Sequence, residues 1–161
     1  MPHVLSRPVR RLWITSLMAG TVGALAMMPF GLVFRLLEMR VGHYGPKFAA
    51  LYMAAPGPWA MLAQHLVLGW LSAWPVCLLP LARWSASATW MVGGIYGLAY
   101  YLGINALALP LYFQDPLPWT LGAAVVAPSL VVHLVFGVAV ATTARWLRQA
   151  PHAQGLLFEE I

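Results

Sequence analysis

Charged residues are scarce in this chain of 161 residues. Asp, Glu, Lys and Arg together make up 8% of it, whereas hydrophobic residues make up 61% and the mean hydropathy is +0.77. Soluble domains carry about 25% charged and about 45–50% apolar residues, and disordered chains combine low hydrophobicity with high charge. Both classes are therefore excluded, and the composition predicts an integral membrane protein.

Acidic residues and cysteine are scarcer still, which removes whole classes of chemistry. All four acidic residues flank the apolar runs or lie in the C-terminal tail, so catalysis by paired carboxylates is not expected. The one cysteine, Cys77, lies in the apolar run WPVCLLP and predicts an inert buried thiol. Cys-x-x-Cys, His-Glu-x-x-His and Gly-x-Ser-x-Gly are all missing from the sequence. The sequence therefore favours a protein that is not an enzyme.

Long apolar runs are what the chain has in abundance. A membrane-spanning helix needs about 20 mostly apolar residues, and four such runs with short loops use up the chain. We therefore expect one transmembrane domain, residues 1–161, folded as an all-α four-helix bundle. The predicted helices cover residues 12–34, 58–82, 87–112 and 120–144, with a short basic N-terminus before them and a loose C-terminal tail over 149–161.

Basic residues are unevenly divided between the two ends of these helices. Lys and Arg accumulate on the cytoplasmic side of membrane proteins, so the larger group predicts that both termini are cytoplasmic. The groups are Arg7, Arg10, Arg11, Arg83, Arg145 and Arg148 on one side, and Arg35, Arg40 and Lys47 on the other. The net charge of +5 then indicates anionic lipid headgroups as partners rather than nucleic acid.

The first apolar run has a second interpretation as a signal peptide. Three arginines precede it, and Ala24-Leu25-Ala26 resembles a small-residue cleavage site. The run continues to Phe34, however, and this length favours a spanning helix.

Short matches between the helices suggest two repeated helix hairpins. The segment from His65 to Gly69 (HLVLG) matches that from His133 to Gly137 (HLVFG), and Gly20-x-x-Gly23 matches Gly94-x-x-Gly97. Such matches also arise by chance among Leu, Val and Gly, so the repeat stays one of two open interpretations. Counted from the outer helix ends, His65 lies about 10 Å deep and His133 about 21 Å deep, which argues against a repeat.

Small residues four positions apart predict where helices touch, because they let backbones approach closely. His65 shares a face with Gly69, and His133 shares one with Gly137, so both histidines are expected to face neighbouring helices. The glycines predicted at helix contacts are Gly20, Gly23, Gly69, Gly93, Gly97 and Gly137.

Polar side chains within the spans are costly in hydrocarbon and should face the bundle interior with a partner. The helix rise places Asn105 level with Gln64 and His65, and His133 level with the two tyrosines of the third span. The predicted intramembrane polar cluster consists of Gln64, His65, Tyr100, Tyr101, Asn105 and His133.

Four interpretations of this cluster are open. The favoured one is interhelical hydrogen bonding, worth about 0.6 kcal/mol for each bond. In the second, His65 and His133 are axial ligands of haem b. In the third, histidine and tyrosine form a proton path in a small transporter or proton-conducting oligomer. In the fourth, His65 binds Cu(I) with Met27 or Met28. The favoured protein is thus a structural or accessory component without a cofactor, whose partners are the lipid bilayer and a second copy or another membrane protein.

The order of motifs also resembles that of a known family. A glycine-rich first helix is followed by an early histidine in the second, a proline exit from the third, the loop FQDPLPW, His-Leu-Val and the basic end ARWLR. This order resembles the YagU-like family of small bacterial inner-membrane proteins of unknown function, over roughly residues 60–148. The resemblance implies a bacterial inner membrane and a role in envelope or acid-stress homeostasis. His65 and His133 match family histidines, whereas Asn105 replaces a third one, which speaks against a three-histidine site.

Overall fold

The computed structural model describes residues 7–149, and within that range the chain forms helices and no strands. Four helical stretches are long and apolar enough to cross a membrane, so the predicted all-α four-helix fold is confirmed. The helices are α1 (Arg7–Leu36), α2 (Tyr44–Ala49), α3 (Pro58–Cys77), α4 (Ala86–Tyr100), a π-helical segment (Tyr101–Ala108), α5 (Leu109–Phe113) and α6 (Ala123–Gln149). The third span runs without a break from Ala86 to Phe113. Of the predicted tail, only Gln149 lies within the described residues.

Several span boundaries differ from the predicted ones by up to five residues, and α1 begins at Arg7 and α6 ends at Gln149. Two of the differences come from proline and glycine. α3 ends at Cys77, five residues before the predicted end, and a 3₁₀ turn follows over Leu81–Arg83. Pro80 lacks a backbone N–H and disfavours helical geometry in the residue before it, so the helix cannot continue. α6 begins at Ala123, directly after Gly122, whose φ of +91° suits glycine rather than a residue with a side chain.

The helices pack in the order α3, α1, α6, α4, with α1 and α6 side by side in the middle. Two tyrosines of α4 also contact α3, so that the four helices enclose a common interior. Tyr96 donates to the carbonyl of Ser72, and the Ser72 hydroxyl lies 2.9 Å from Tyr100 Oη. An apolar core fills the end of the bundle at which α1 begins. It consists of Ala19, Ala73, Val76, Cys77, Leu81, Phe136, Val140, Ala141 and Ala144.

Each hairpin closes at a contact between glycine backbones. A Cβ added to Gly20 would lie 2.6 Å from the carbonyl oxygen of Gly69, and one added to Gly93 would lie 2.6 Å from that of Gly137. Real Cβ atoms do not approach backbone this closely, so alanine at Gly20, Gly93 or Gly137 would force the helices apart. A Cβ on Gly23 would overlap side chains of α6, so this glycine closes the seam between the hairpins instead.

The two hairpins close in the same register. Four residues beyond Gly20, the carbonyl of Ala24 meets the ring of His65; four residues beyond Gly93, Gly97 packs on the backbone of His133. Gly20 of the first hairpin therefore corresponds to Gly93, one residue before the Gly94 of the sequence match. His65 and His133 occupy equivalent places in their hairpins, each one helical turn from the glycine contact.

Candidate functional site

His133 of α6 is the polar centre of the second hairpin. Its Nδ1 lies 2.6 Å from the carbonyl of Ser129, and its Nε2 lies 2.9 Å from Nδ2 of Asn105. Because a carbonyl can only accept, Nδ1 must carry the hydrogen, and the bare Nε2 accepts from the amide of Asn105. The bonding pattern thus assigns the neutral Nδ1–H tautomer to His133, with both ring nitrogens in use.

The π-helical segment places Asn105 against His133. At its end, the N–H of Leu109 donates to the carbonyl of Ile104, five residues back. Pro110 causes this widening, because in an α-helix its ring would clash with the carbonyl of Ala106. Depths estimated from the sequence with a uniform α-helical rise place Asn105 level with His65 and Gln64. In the structure Asn105 pairs with His133 instead.

Two tyrosines pack around His133, as the depth count predicts. The ring of Tyr100 stacks on the imidazole with 5.6 Å between centroids and 19° between planes. The ring of Tyr101 lies at 6.1 Å and is tilted by 46°. Tyr100 also bonds Ser72 of α3, so this group joins α3, the third span and α6.

His65 makes a separate contact in the first hairpin. Its Nε2 lies 3.0 Å from the carbonyl oxygen of Ala24, to which it can only donate. This bond leaves Nδ1 as the ring nitrogen of His65 that could bind a metal. The bond ties α3 to α1, beside the contact of Gly20 with Gly69.

Gln64 of α3 bonds to the loop before it and not to the polar centre of the bundle. Its Nε2 donates to the carbonyl of Gly45 over 3.0 Å, and its Oε1 accepts from the hydroxyl of Tyr52. Both partners lie in the connection between α1 and α3. The buried amide of Gln64 therefore holds this connection against the start of α3.

Small hydroxyl groups add further bonds between α1 and α3 that sequence reasoning missed. Ser16 donates to the carbonyl of Trp70 over 2.7 Å, and the indole of Trp70 donates to Thr21 over 2.8 Å. Ser and Thr are common in membrane helices and carry no distinctive spacing, so the sequence offers no signal for these pairs.

Sequence reasoning also missed a group of residues that joins the two loops at the far end of the bundle. Lys47 Nζ lies 2.6 and 2.5 Å from the two carboxylate oxygens of Asp115, and His43 Nε2 lies 3.5 Å from one of them. Tyr44 stacks on Phe113 with 5.9 Å between ring centroids. We call His43, Tyr44, Lys47, Phe113 and Asp115 the inter-loop cluster. A signal was available, because Asp115 is the one acidic residue of its loop and faces a basic loop.

Two pKa values in the inter-loop cluster are lowered. Lys47 lowers the pKa of Asp115, chiefly through its hydrogen bond to the carboxylate. Burial lowers the pKa of His43 below 6.5, and the charges of Arg40 and Lys47 act in the same direction against Asp115. A group whose pKa is lower in the folded than in the unfolded state makes stability rise with pH. Both groups therefore stabilise the fold most at neutral pH.

We expect thermal stability in detergent to fall in two steps as the pH is lowered. The contribution of His43 is complete above about pH 6.5 and is lost as the pH falls below it, and that of Asp115 is lost below about pH 4. Melting curves between pH 3 and pH 8 check this, with His43→Gln reducing the upper step and Asp115→Asn reducing the lower one. Equal melting temperatures for wild type and His43→Gln at every pH would contradict the assignment.

The histidines do not fit a metal or haem site as arranged. Both ring nitrogens of His133 and the Nε2 of His65 are in hydrogen bonds. Of the copper candidates, Met27 packs against the apolar core and Met28 is 47% exposed. Within residues 7–149, no three His, Cys, Asp or Glu side chains come together in a metal-binding group.

The fold and these contacts define the class of this chain, a multi-pass membrane protein with four spanning helices. Comparison with family models, with curated proteins and with solved structures finds no match to it.

A double-mutant cycle measures what the pair of Asn105 and His133 contributes. We expect Asn105→Leu and His133→Leu each to cost about 0.6–1.7 kcal/mol of unfolding free energy, the range for hydrogen bonds in membranes. The double variant should cost less than the sum, because each single change leaves a polar partner unpaired. Unfolding in mixed micelles gives the three values, and strict additivity would show that the bond does not form.

Proposed function

We propose that the protein is a non-enzymatic structural or accessory component of a bacterial inner membrane. The observation that supports this proposal is the set of hydrogen-bond partners of the intramembrane polar groups. His65, Asn105 and His133 bond to neighbouring helices or to each other, as do Ser16 and Trp70. Polar groups that serve a substrate would instead converge on a cavity. A bundle in which these five residues hold its own helices together suits a protein that acts by association.

We further propose that both termini face the cytoplasm. The end of the bundle where α1 begins carries arginines and, within the described residues, no acidic side chain. The opposite end mixes both signs. The first end holds Arg10, Arg11, Arg83, Arg145 and Arg148, and the second holds Arg35, Glu38, Arg40, Lys47 and Asp115. This imbalance supports an orientation with the first end inside.

The resemblance to the YagU-like family supports the remaining elements of the proposal. It contributes the bacterial inner membrane and a role in envelope or acid-stress homeostasis. We propose a second copy of the chain or another membrane protein as partner. Native mass spectrometry of the full chain in mild detergent tests self-association, for which a dimer or larger complex is expected.

One observation favours haem binding as a second candidate function. His65 and His133 hold equivalent places in the two hairpins, each one turn from a glycine contact. A pair of histidines on different helices of a bundle is a suitable axial ligand set for haem b. Binding would require both rings to give up their present hydrogen bonds.

Reconstitution into liposomes tests the accessory role against proton conduction. Vesicles with an enclosed pH-sensitive dye and the full chain are expected to hold a proton gradient as long as empty vesicles do. A leak that His133→Leu abolishes, while the lipid-facing variant Ala99→Leu retains it, would contradict the proposal and favour the transport interpretation.

A further inference from the structure

The seam between α1 and α6 is open on the side that faces lipid. Two adjoining hollows run along it, and they share Val22 and Thr143. We call them together the α1–α6 groove. Its lining is Leu17, Met18, Thr21, Val22, Leu134, Val135, Val138, Ala139, Thr142, Thr143 and Trp146. The groove is open to the surface and its lining is almost wholly apolar, so it suits a hydrocarbon chain.

Two arginines lie in line with the groove at one end. Arg10 precedes Leu17 by seven residues and Thr21 by eleven, and Arg11 stands in the same relation to Met18 and Val22. Residues seven and eleven apart share one face of a helix. Arg10 and Arg11 therefore stand on the groove side of α1, about 10 Å beyond its first lining residues.

The other wall of the groove ends in a residue suited to the membrane interface. Trp146 lines the groove in the last turns of α6 and is 60% exposed. Tryptophan favours the headgroup level of a bilayer, where its indole meets both lipid and water. The groove thus leads from hydrocarbon depth to an interface that carries positive charge.

We propose that the α1–α6 groove binds one anionic phospholipid, with an acyl chain along the seam and the phosphate at Arg10 and Arg11. Charge complementarity selects this occupant, because a second copy of the helices would gain nothing from two arginines at the membrane surface. Each guanidinium offers five N–H donors and can serve a phosphate beside its other partners. The lipid site requires only that the protein lies in a membrane. If the lipid does not bind, the proposed accessory function is unaffected.

Competition between lipids tests this site in the full-length protein. The delipidated protein is incubated in detergent with equal amounts of phosphatidylglycerol and phosphatidylcholine of the same chain length, and native mass spectrometry counts the lipids that remain bound. We expect one retained phosphatidylglycerol in the wild type. The preference should fall on the order of tenfold in the double variant Arg10→Gln/Arg11→Gln, in line with the effect of juxtamembrane basic residues.

Matched variants separate the charge from the groove. Arg35→Gln/Arg40→Gln removes two charges at the opposite end and should keep the preference. Ala139→Phe fills the groove and should lower retention of both lipids, whereas Ala99→Phe, on an exposed face of α4, should not. Equal retention of the two lipids by the wild type would overturn the proposal. So would a dimer that Ala139→Phe dissociates without any change in lipid retention.

Photolabelling of the wild-type protein with a photoactivatable phosphatidylglycerol gives a second measurement. It tests the site even if a variant does not fold. Label is expected on groove residues such as Val22, Thr143 and Trp146. Label spread evenly over the lipid-facing surface would contradict a defined site.

Discussion

Replacing Gly137 with alanine is expected to destabilise the bundle by about 3 kcal/mol, at the upper end of the range for overpacking. A Cβ at this position would overlap the carbonyl of Gly93 and the backbone of Gly97. Backbone cannot turn aside as a side chain can, so α4 and α6 would have to move apart along their whole contact. Unfolding of the purified variant in mixed detergent micelles measures the loss.

Gly94→Ala is the matched control for this prediction. Gly94 lies next to Gly93 on α4, and apart from its chain neighbours and the backbone of its own helix no heavy atom lies within 4 Å of the place that its Cβ would occupy. Alanine there should be neutral or stabilising by up to about 1 kcal/mol, because it favours the helix over glycine. Equal destabilisation by Gly94→Ala and Gly137→Ala would show that helix propensity, and not the close contact, controls stability.

Replacing Arg148 with alanine is expected to cost about 2 kcal/mol, as for hydrogen bonds made by a charged group. Its guanidinium donates to the carbonyls of Cys77 and Leu79, where α3 ends and the chain turns towards α4. The last carbonyls of a helix have no partner within it, so the arginine satisfies groups that would otherwise be bare. Thermal unfolding in detergent, compared with wild type, measures the cost.

The planar guanidinium group of Arg148 can donate hydrogen bonds to both carbonyls at the same time. Arg148→Lys should recover less than half of the loss, because an ammonium group acts as a single point and cannot reproduce two fixed donors. Arg83→Ala provides the control, since Arg83 lies in the connection between α3 and α4 to which Arg148 bonds, but its side chain is exposed. A loss with Arg83→Ala as large as with Arg148→Ala would indicate a general effect of charge at this end.

Composition and spacing were sufficient to predict the spans and their small-residue faces. Four apolar runs can only be buried in lipid or in each other, and glycines four apart mark where backbones approach. The contacts of Gly20 with Gly69 and of Gly93 with Gly137 follow that rule. The end of α3 did not follow from hydropathy, because Leu78, Leu79 and Leu81 are as apolar as the helix before them.

The polar contacts were harder to predict, because they depend on the local geometry of the chain. The π-helical segment places Asn105 in contact with His133, and depths calculated for a regular α-helix do not predict this contact. The ion pair of Lys47 with Asp115 depends on how two loops fold over the bundle. Neither loop has a hydrophobic period from which its path could be inferred.

The equivalence of the two hairpins is a result that the sequence only suggested. The sequence match aligned Gly20 with Gly94, whereas the packing aligns Gly20 with Gly93. A shift of one residue turns a helix by about 100°, so only the contacts themselves fix the register. In that register His65 and His133 are equivalent, although depths counted from predicted helix ends placed them on different levels.

The visible absorption spectrum of the full-length protein tests most directly whether His65 and His133 hold helices or iron. The protein is expressed in cells supplied with a haem precursor and purified in mild detergent. We expect no Soret band, because three of the four ring nitrogens already bond within the bundle. A stoichiometric Soret band in the wild type that is lost in both His65→Ala and His133→Ala would contradict the structural role and establish the haem interpretation.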